Sequence, residues 1–125
     1  CVLCRRMMFR ISEKIAINEG CSYLVTGENL GQVASQTLDN MTVAASAIKM
    51  PILRPLLCND KQQIVDLAKK IETYPISVEA ASCCNAVPRN PITKAHLRSI
   101  EKEEQKIDVE NIVAKAVSTA DVLDL

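Results

Sequence analysis

The residues of this 125-residue chain that could do chemistry are six cysteines, one histidine, a glycine-punctuated polar turn and one lysine. Cys1 and Cys4 are three apart, so on a helix that starts there both sulfurs share a face. A helix N-terminus, with Arg5 and Arg6 beside it, favours thiolate over thiol. Cys83 and Cys84 stand together in a stretch broken by Pro75 and Pro88. One CxxC is half of a usual zinc site, and no second CxxC or histidine pair follows. A third thiolate from the Cys83–Cys84 pair would leave an open coordination position, which suits iron–sulfur chemistry better than structural zinc. A redox-active disulfide, or plain unpaired thiols, is the competing reading of the same residues. Cys21 and Cys58 flank apolar runs and read as small core residues, and His96 reads as a solvent-exposed side chain on a charged helix.

The second chemistry is phosphate binding. Tyr23-Leu24-Val25 reads as a short buried strand, and Gly27 and Gly31 bracket the polar turn after it. An apolar-periodic segment then opens a helix. Strand, glycine turn and helix start together let bare backbone approach a phosphate while helical N–H groups point at it. An ordinary βα connection has the same spacing, and both readings stand. Lys61 begins a helix after a second apolar run, where the helix dipole disfavours a cation. It is either a surface lysine or an ammonium that reaches phosphate oxygens held at the Gly27–Gly31 turn, since ligands of open α/β sheets sit at the C-terminal ends of the strands.

These residues need elements to position them. Leu3, Met7, Met8, Ile11 and Ile15 predict the buried face of a first helix, with Arg6, Arg10, Glu13 and Lys14 on its outer face and Gly20 at its end. Val33, Leu38, Met41, Val43 and Ala44 predict a long helix to about Lys49. Ile52–Leu57 reads as a second strand that Pro55 ends or confines to an edge. Asn59 reads as an N-cap, with Asp60 in the first turn and Gln62 three residues on, and Ile64, Val65, Leu67, Ala68 and Ile71 face inward. Thr73–Asn90 predicts an irregular stretch. Asn90-Pro91 predicts the start of a charged helix through Lys94, Arg98 and Glu104, and Asp108 caps a last helix buried through Ile112, Val113, Ala116 and Val117.

That order predicts an α/β fold, a few parallel strands flanked by helices in one partial domain over residues 1–125. Two strands are too few for an independent doubly wound sheet. The chain, which opens on Cys1, therefore reads as the C-terminal portion of a Rossmann-like domain that completes its sheet elsewhere or by self-association. Lys and Arg balance Asp and Glu at 15 each, so net charge names no nucleic-acid or membrane partner. No run reaches the ~18 apolar residues of a membrane helix, and no signal peptide is visible, which points to the cytoplasm.

Thr26-Gly27-Glu28-Asn29-Leu30-Gly31-Gln32-Val33-Ala34-Ser35-Gln36-Thr37-Leu38 resembles the signature of the tRNA 4-thiouridine synthetase (ThiI) family of sulfurtransferases. Arg5–Arg10, Leu53–Leu56, Asp60-Lys61 and Cys84–Ala95 resemble its flanking segments in the same order. The resemblance implies a PP-loop (adenine-nucleotide α-hydrolase-like) domain that uses ATP with Mg2+ to adenylate a tRNA uridine and then exchanges AMP for sulfur. It further implies that Gly27, Gly31, Gln32 and Gln36 line the adenylate site, that Lys61 serves activation and that Cys84 handles sulfur. Cys1 and Cys4 resemble archaeal members in which such a pair, with the loop cysteine, holds an iron–sulfur cluster. The family's pyrophosphate loop and RNA-binding region are not among these residues, so the resemblance also implies that such an upstream region, from the same gene or a separate chain, completes the enzyme alongside tRNA and a sulfur donor. The alternatives are a non-catalytic iron–sulfur or persulfide carrier, and a PP-loop sulfurtransferase for another tRNA position or a thiazole precursor.

Overall fold

Two short parallel strands lie between helices, in a computed structural model that describes residues 1–79 and 89–123. The elements are α1 (Val2–Asn18), β1 (Leu24–Val25), a 3₁₀ turn (Ala34–Gln36), α2 (Leu38–Ala45), β2 (Ile52–Leu53), α3 (Lys61–Lys70), α4 (Tyr74–Ser77), α5 (Leu97–Glu104) and α6 (Val109–Ser118). Leu24 stands opposite Ile52 and Val25 opposite Leu53, in parallel register. The N–H of Leu24 donates to Pro51 O at 2.9 Å and that of Thr26 to Leu53 O at 3.0 Å. The α/β class and the parallel pairing are as the sequence predicts, though both strands are shorter.

The core joins Val2 of α1, Val43 of α2, Ile100 of α5 and Ala95 from the segment before α5, with Leu3 packed against it. The expected inner face of α1 holds only in part: Leu3 packs against the core and Met7 and Ile11 are half-buried, but the fully buried residues are others. Val2, Arg6, Phe9 and Ala16 are buried, whereas Met8 is 60% exposed and Ile15 is also exposed. Arg6 faces inward because Glu104, at the end of α5, meets it there: Nε donates to Oε1 at 2.8 Å and Nη2 to Oε2 at 2.9 Å. Its Nη1 donates to Val43 O at 2.5 Å and to Ser46 Oγ at 2.9 Å. Arg10 adds two more bonds to Glu104, at 2.6 and 2.9 Å. Hydrogen bonds from Arg10 and then Arg6 hold the Glu104 carboxyl well below its ordinary value, at about 2. A buried guanidinium is tolerated when its donors are satisfied in this way.

Other expectations need correction. α2 stops at Ala45 rather than near Lys49, and Leu38 and Val33 are exposed. The cap of α3 is Asp60, paired reciprocally with Gln63, not Asn59 with Gln62. α5 starts at Leu97 behind His96, not at Asn90-Pro91, because the backbone of Ile92, Thr93 and Ala95 is hydrogen-bonded to side chains of α2 and its cap. α4 interrupts the stretch expected to be irregular. Cys21 and Cys58 are exposed rather than in the core, since neither expected strand extends to them. Asp108 caps α6 as predicted, accepting from the Asn111 N–H at 3.0 Å. Among the described residues no helix is long and apolar enough to cross a membrane.

Candidate active site

The turn after β1 is built around a buried carboxylate. Glu28 accepts from Arg5 Nη1 at 2.5 Å through Oε1. Its Oε2 accepts from Arg54 Nε at 2.7 Å and from Thr26 Oγ1 at 3.2 Å. Those two arginines come from α1 and from the residue after β2, so one side chain gathers three segments. Asn29, also buried, donates through Nδ2 to Leu56 O at 2.9 Å and to Asn59 O. The Leu30 N–H adds a bond to Leu57 O at 3.0 Å. The glycine turn after β1 is thus fastened along the loop after β2.

Gly31 has φ +77°, a conformation that disfavours any residue with a Cβ, and its N–H donates to Gln36 O at 2.9 Å. Gly27 has no such torsion, and a Cβ there would meet nothing within 4 Å. The fold itself therefore does not demand glycine at 27. Gln32 is exposed and Gln36 is half-buried, so the four residues expected to line an adenylate fall on one turn. Gln36 Oε1, Asn29 Oδ1 and Arg54 Nη2 are buried with no hydrogen-bond partner among the described residues. Lys61 is the exposed first residue of α3, two positions beyond the Asn59 carbonyl that Asn29 holds. The tether brings the start of α3 beside the glycine turn at the C-terminal ends of both strands, the edge where α/β sheets take ligands.

Cys1 caps α1 and Cys4 follows within its first turn; both are exposed free thiols. Cys1 also lines a cavity of about 150 Å³ with Val2, Leu3, Pro91, Ile92 and Ile100. Cys83 and Cys84 lie outside the described residues. Among the described residues no three His, Cys, Asp or Glu side chains converge as a metal site. His96 is exposed, as expected.

The segment that approaches Cys1 is held by an unforeseen residue. Asn40 is fully buried; its Nδ2 donates to Ala34 O and Ile92 O, each at 2.7 Å, and its Oδ1 accepts from the Ala95 N–H at 2.8 Å. Thr37 Oγ1 donates to Thr93 O at 2.6 Å. Sequence reasoning missed Arg5, Glu28, Asn29, Asn40 and Arg54 as organisers of the site. The one available signal was a polar Asn40 beside the apolar Met41, Val43 and Ala44.

A protein-family model described as "Thiamine biosynthesis protein (ThiI)" matches residues 1–109. A "Probable tRNA sulfurtransferase" of Methanosarcina mazei is 46% identical over 125 residues, which is 100% of this chain and 31% of that protein. One from Alkaliphilus oremlandii is 42% identical over 123 residues, 97% of this chain and 31% of the relative. Among solved structures, the "Crystal structure of a 4-thiouridine synthetase - RNA complex with bound ATP" superposes with TM-score 0.87 at 43% identity, covering 94% of this chain and 31% of that one. The chain thus spans about a third of the length of these relatives. The glycine turn, the arginines that hold it and Lys61 all fall inside the matched span, and on that match the chain belongs to the ThiI family of thiamine biosynthesis proteins.

Proposed function

We propose that this chain is part of an ATP-dependent tRNA sulfurtransferase that makes 4-thiouridine. The observation that carries the reading is the Asn29 tether, which sets the Gly27–Gly31 turn and the start of α3, with Lys61, on one edge of the parallel strands. Support comes from the relatives' names and from the ATP and RNA in the similar solved structure. Uridine O4 attacks the α-phosphorus of ATP, the bond to the β-phosphate breaks, pyrophosphate leaves and the N3 proton is released. Hydrosulfide from a sulfur donor, directed by Cys84, then attacks C4. The C4–O bond breaks, AMP leaves, and the proton that came with the sulfur ends on N3.

Gly27, Gly31, Gln32 and Gln36 line the adenylate, and the Lys61 ammonium offsets charge that grows on the phosphates during activation. Mg2+ enters with ATP, held mainly by phosphate oxygens and water. The exposed thiols of Cys1 and Cys4 fit the donor chemistry of an iron–sulfur cluster, and with Cys84 they would hold it. When bound, such a cluster supplies an open position for sulfide. The reading also takes tRNA, the rest of the catalytic protein and a sulfur donor as partners, in the cytoplasm.

Two half-reactions test this in the full-length protein with unmodified tRNA, ATP and sodium sulfide. Lys61→Ala should slow tRNA-dependent pyrophosphate release about a hundredfold, the usual scale for losing one group that stabilises transition-state charge. Cys84→Ala should keep pyrophosphate release and lose 4-thiouridine, read by nucleoside mass spectrometry. Undiminished thiolation by Cys84→Ala, or thiolation of a tRNA lacking the target uridine, would overturn the proposal.

A further inference from the structure

We infer that Asn40 is a positioning residue for the sulfur-transfer step: it fixes the segment Pro91–Ala95 between the Gly31–Gln36 turn and Cys1. This rests on the functional reading above.

Asn40 occupies a helix position whose neighbours Met41, Val43 and Ala44 are buried apolar residues. A leucine or alanine would suit such a face. Burying an amide there is unfavourable unless its donors and acceptor all find partners, which they do here. The three partners are not local to one element. Ala34 belongs to the 3₁₀ turn that ends in Gln36, while Ile92 and Ala95 lie more than fifty residues away in sequence. Gln36 in turn holds the Gly31 N–H through its own carbonyl, so the bonded path runs without a break from the glycine turn to Ala95.

On the far side the same segment meets the thiol helix. Ala95 packs in the core with Val2, and Pro91 and Ile92 line the cavity that Cys1 also lines. Among the described residues, Asn40 is therefore the single side chain bonded both to the turn assigned to the nucleotide and to the segment that reaches Cys1. Thr37 adds a second, more accessible anchor through its bond to Thr93 O. The residues these anchors hold, Ile92, Thr93 and Ala95, lie downstream of Cys84 in sequence. A network of this kind, satisfied only when every member is in place, specifies one arrangement of its segments.

The test compares Asn40→Ala, Thr37→Val and Thr37→Ser in the full-length protein, with unmodified tRNA, ATP and sodium sulfide. Pyrophosphate release and 4-thiouridine formation are followed side by side. Asn40→Ala should form 4-thiouridine at least about tenfold more slowly, because small displacements of reacting groups are that costly. Pyrophosphate release should stay within about threefold, because the glycine turn keeps its Glu28, Asn29 and Gly31 bonds and loses only the one at Ala34, whereas Ile92 and Ala95 both lose their Asn40 partner. Thr37→Val should shift the same ratio by less, and Thr37→Ser should match the wild type. If both steps fall together, in proportion to lost melting temperature, Asn40 merely supports the fold and the assignment is overturned; it is overturned too if neither step changes. Should Asn40→Ala be too unstable to isolate, the ratio in Thr37→Val against Thr37→Ser decides. Lys61→Ala and Cys84→Ala run alongside: retained pyrophosphate release in the first, or retained thiolation in the second, identifies the functional reading as what failed.

Discussion

Glu104 is a carboxylate that accepts four hydrogen bonds from two guanidiniums, and its protonation is the most consequential titration the structure shows. Its folded-state value falls from the ordinary 4.5 to about 2. A depressed carboxylate contributes stability that is present above the unfolded value and lost as pH falls through the folded one. The window is therefore between about 4.5 and about 2, and the shift corresponds to stability on the order of 3 kcal/mol. Glu104→Gln should flatten that part of the pH–stability curve. It should also destabilise the protein near neutral pH by about 3–5 kcal/mol, because Arg6 is left buried without its counter-charge. Urea unfolding at a series of pH values checks both; an unchanged acid limb would refute the pairing. The thiols give a second prediction at this scale. Anaerobic iron–sulfur reconstitution, followed by absorption, should be lost in Cys1→Ala, Cys4→Ala and Cys84→Ala and kept in Cys83→Ala. Loss in Cys83→Ala with retention in Cys84→Ala would reverse that assignment, and no iron uptake by the wild type would remove the cluster.

The glycine turn separates two reasons for the absence of a side chain. Gly31 sits at φ +77° in open space, so Gly31→Ala costs backbone strain alone, about 1–2 kcal/mol. Gly27 lies outside the left-handed region and also faces open space, so Gly27→Ala should leave the melting temperature unchanged. If phosphate approaches the backbone there, the same substitution should weaken ATP binding at least about tenfold, as close backbone approach requires. Calorimetry with ATP beside a thermal melt distinguishes the two glycines. Wild-type affinity in Gly27→Ala would show that the nucleotide does not approach at that position. The neighbouring α3 owes its sharp start to the reciprocal Asp60–Gln63 box, which fixes where Lys61 emerges.

At the scale of the molecule, α1 is the shared surface, packed against α2, α5, α6 and β1. The two-stranded sheet is much less covered. Tyr23, Val25 and Leu53 are each about half or more exposed, with Val25 at 62%. A groove of about 720 Å³ also runs between α1 and α6, lined in part by Ile17, Val109, Val113 and Val117. Exposed strand edges and apolar faces of this kind drive association. Residues 1–125 on their own should self-associate at micromolar concentration, and Val25→Lys should reduce that association. Sedimentation of the wild-type chain as a stable, folded monomer would refute the expectation.

The sequence by itself determined the order of the elements other than the 3₁₀ turn and α4, the parallel α/β class, the cap at Asp108, and the Gly27–Gln36 turn with Lys61 after the second strand. These are local matters: turn glycines, caps and short apolar runs act within a few residues of themselves. Only the tertiary structure decided which face of α1 turns inward, because the partner that makes Arg6 a core residue is Glu104, 98 positions away. It likewise decided that Pro91–Ala95 does not begin a helix, since Asn40 and Thr37 take up the backbone groups that a helix would have used. Helical periodicity places charges outside by default. A buried charge or amide becomes favourable only when distant groups complete its hydrogen bonds, and no spacing along the chain announces that meeting.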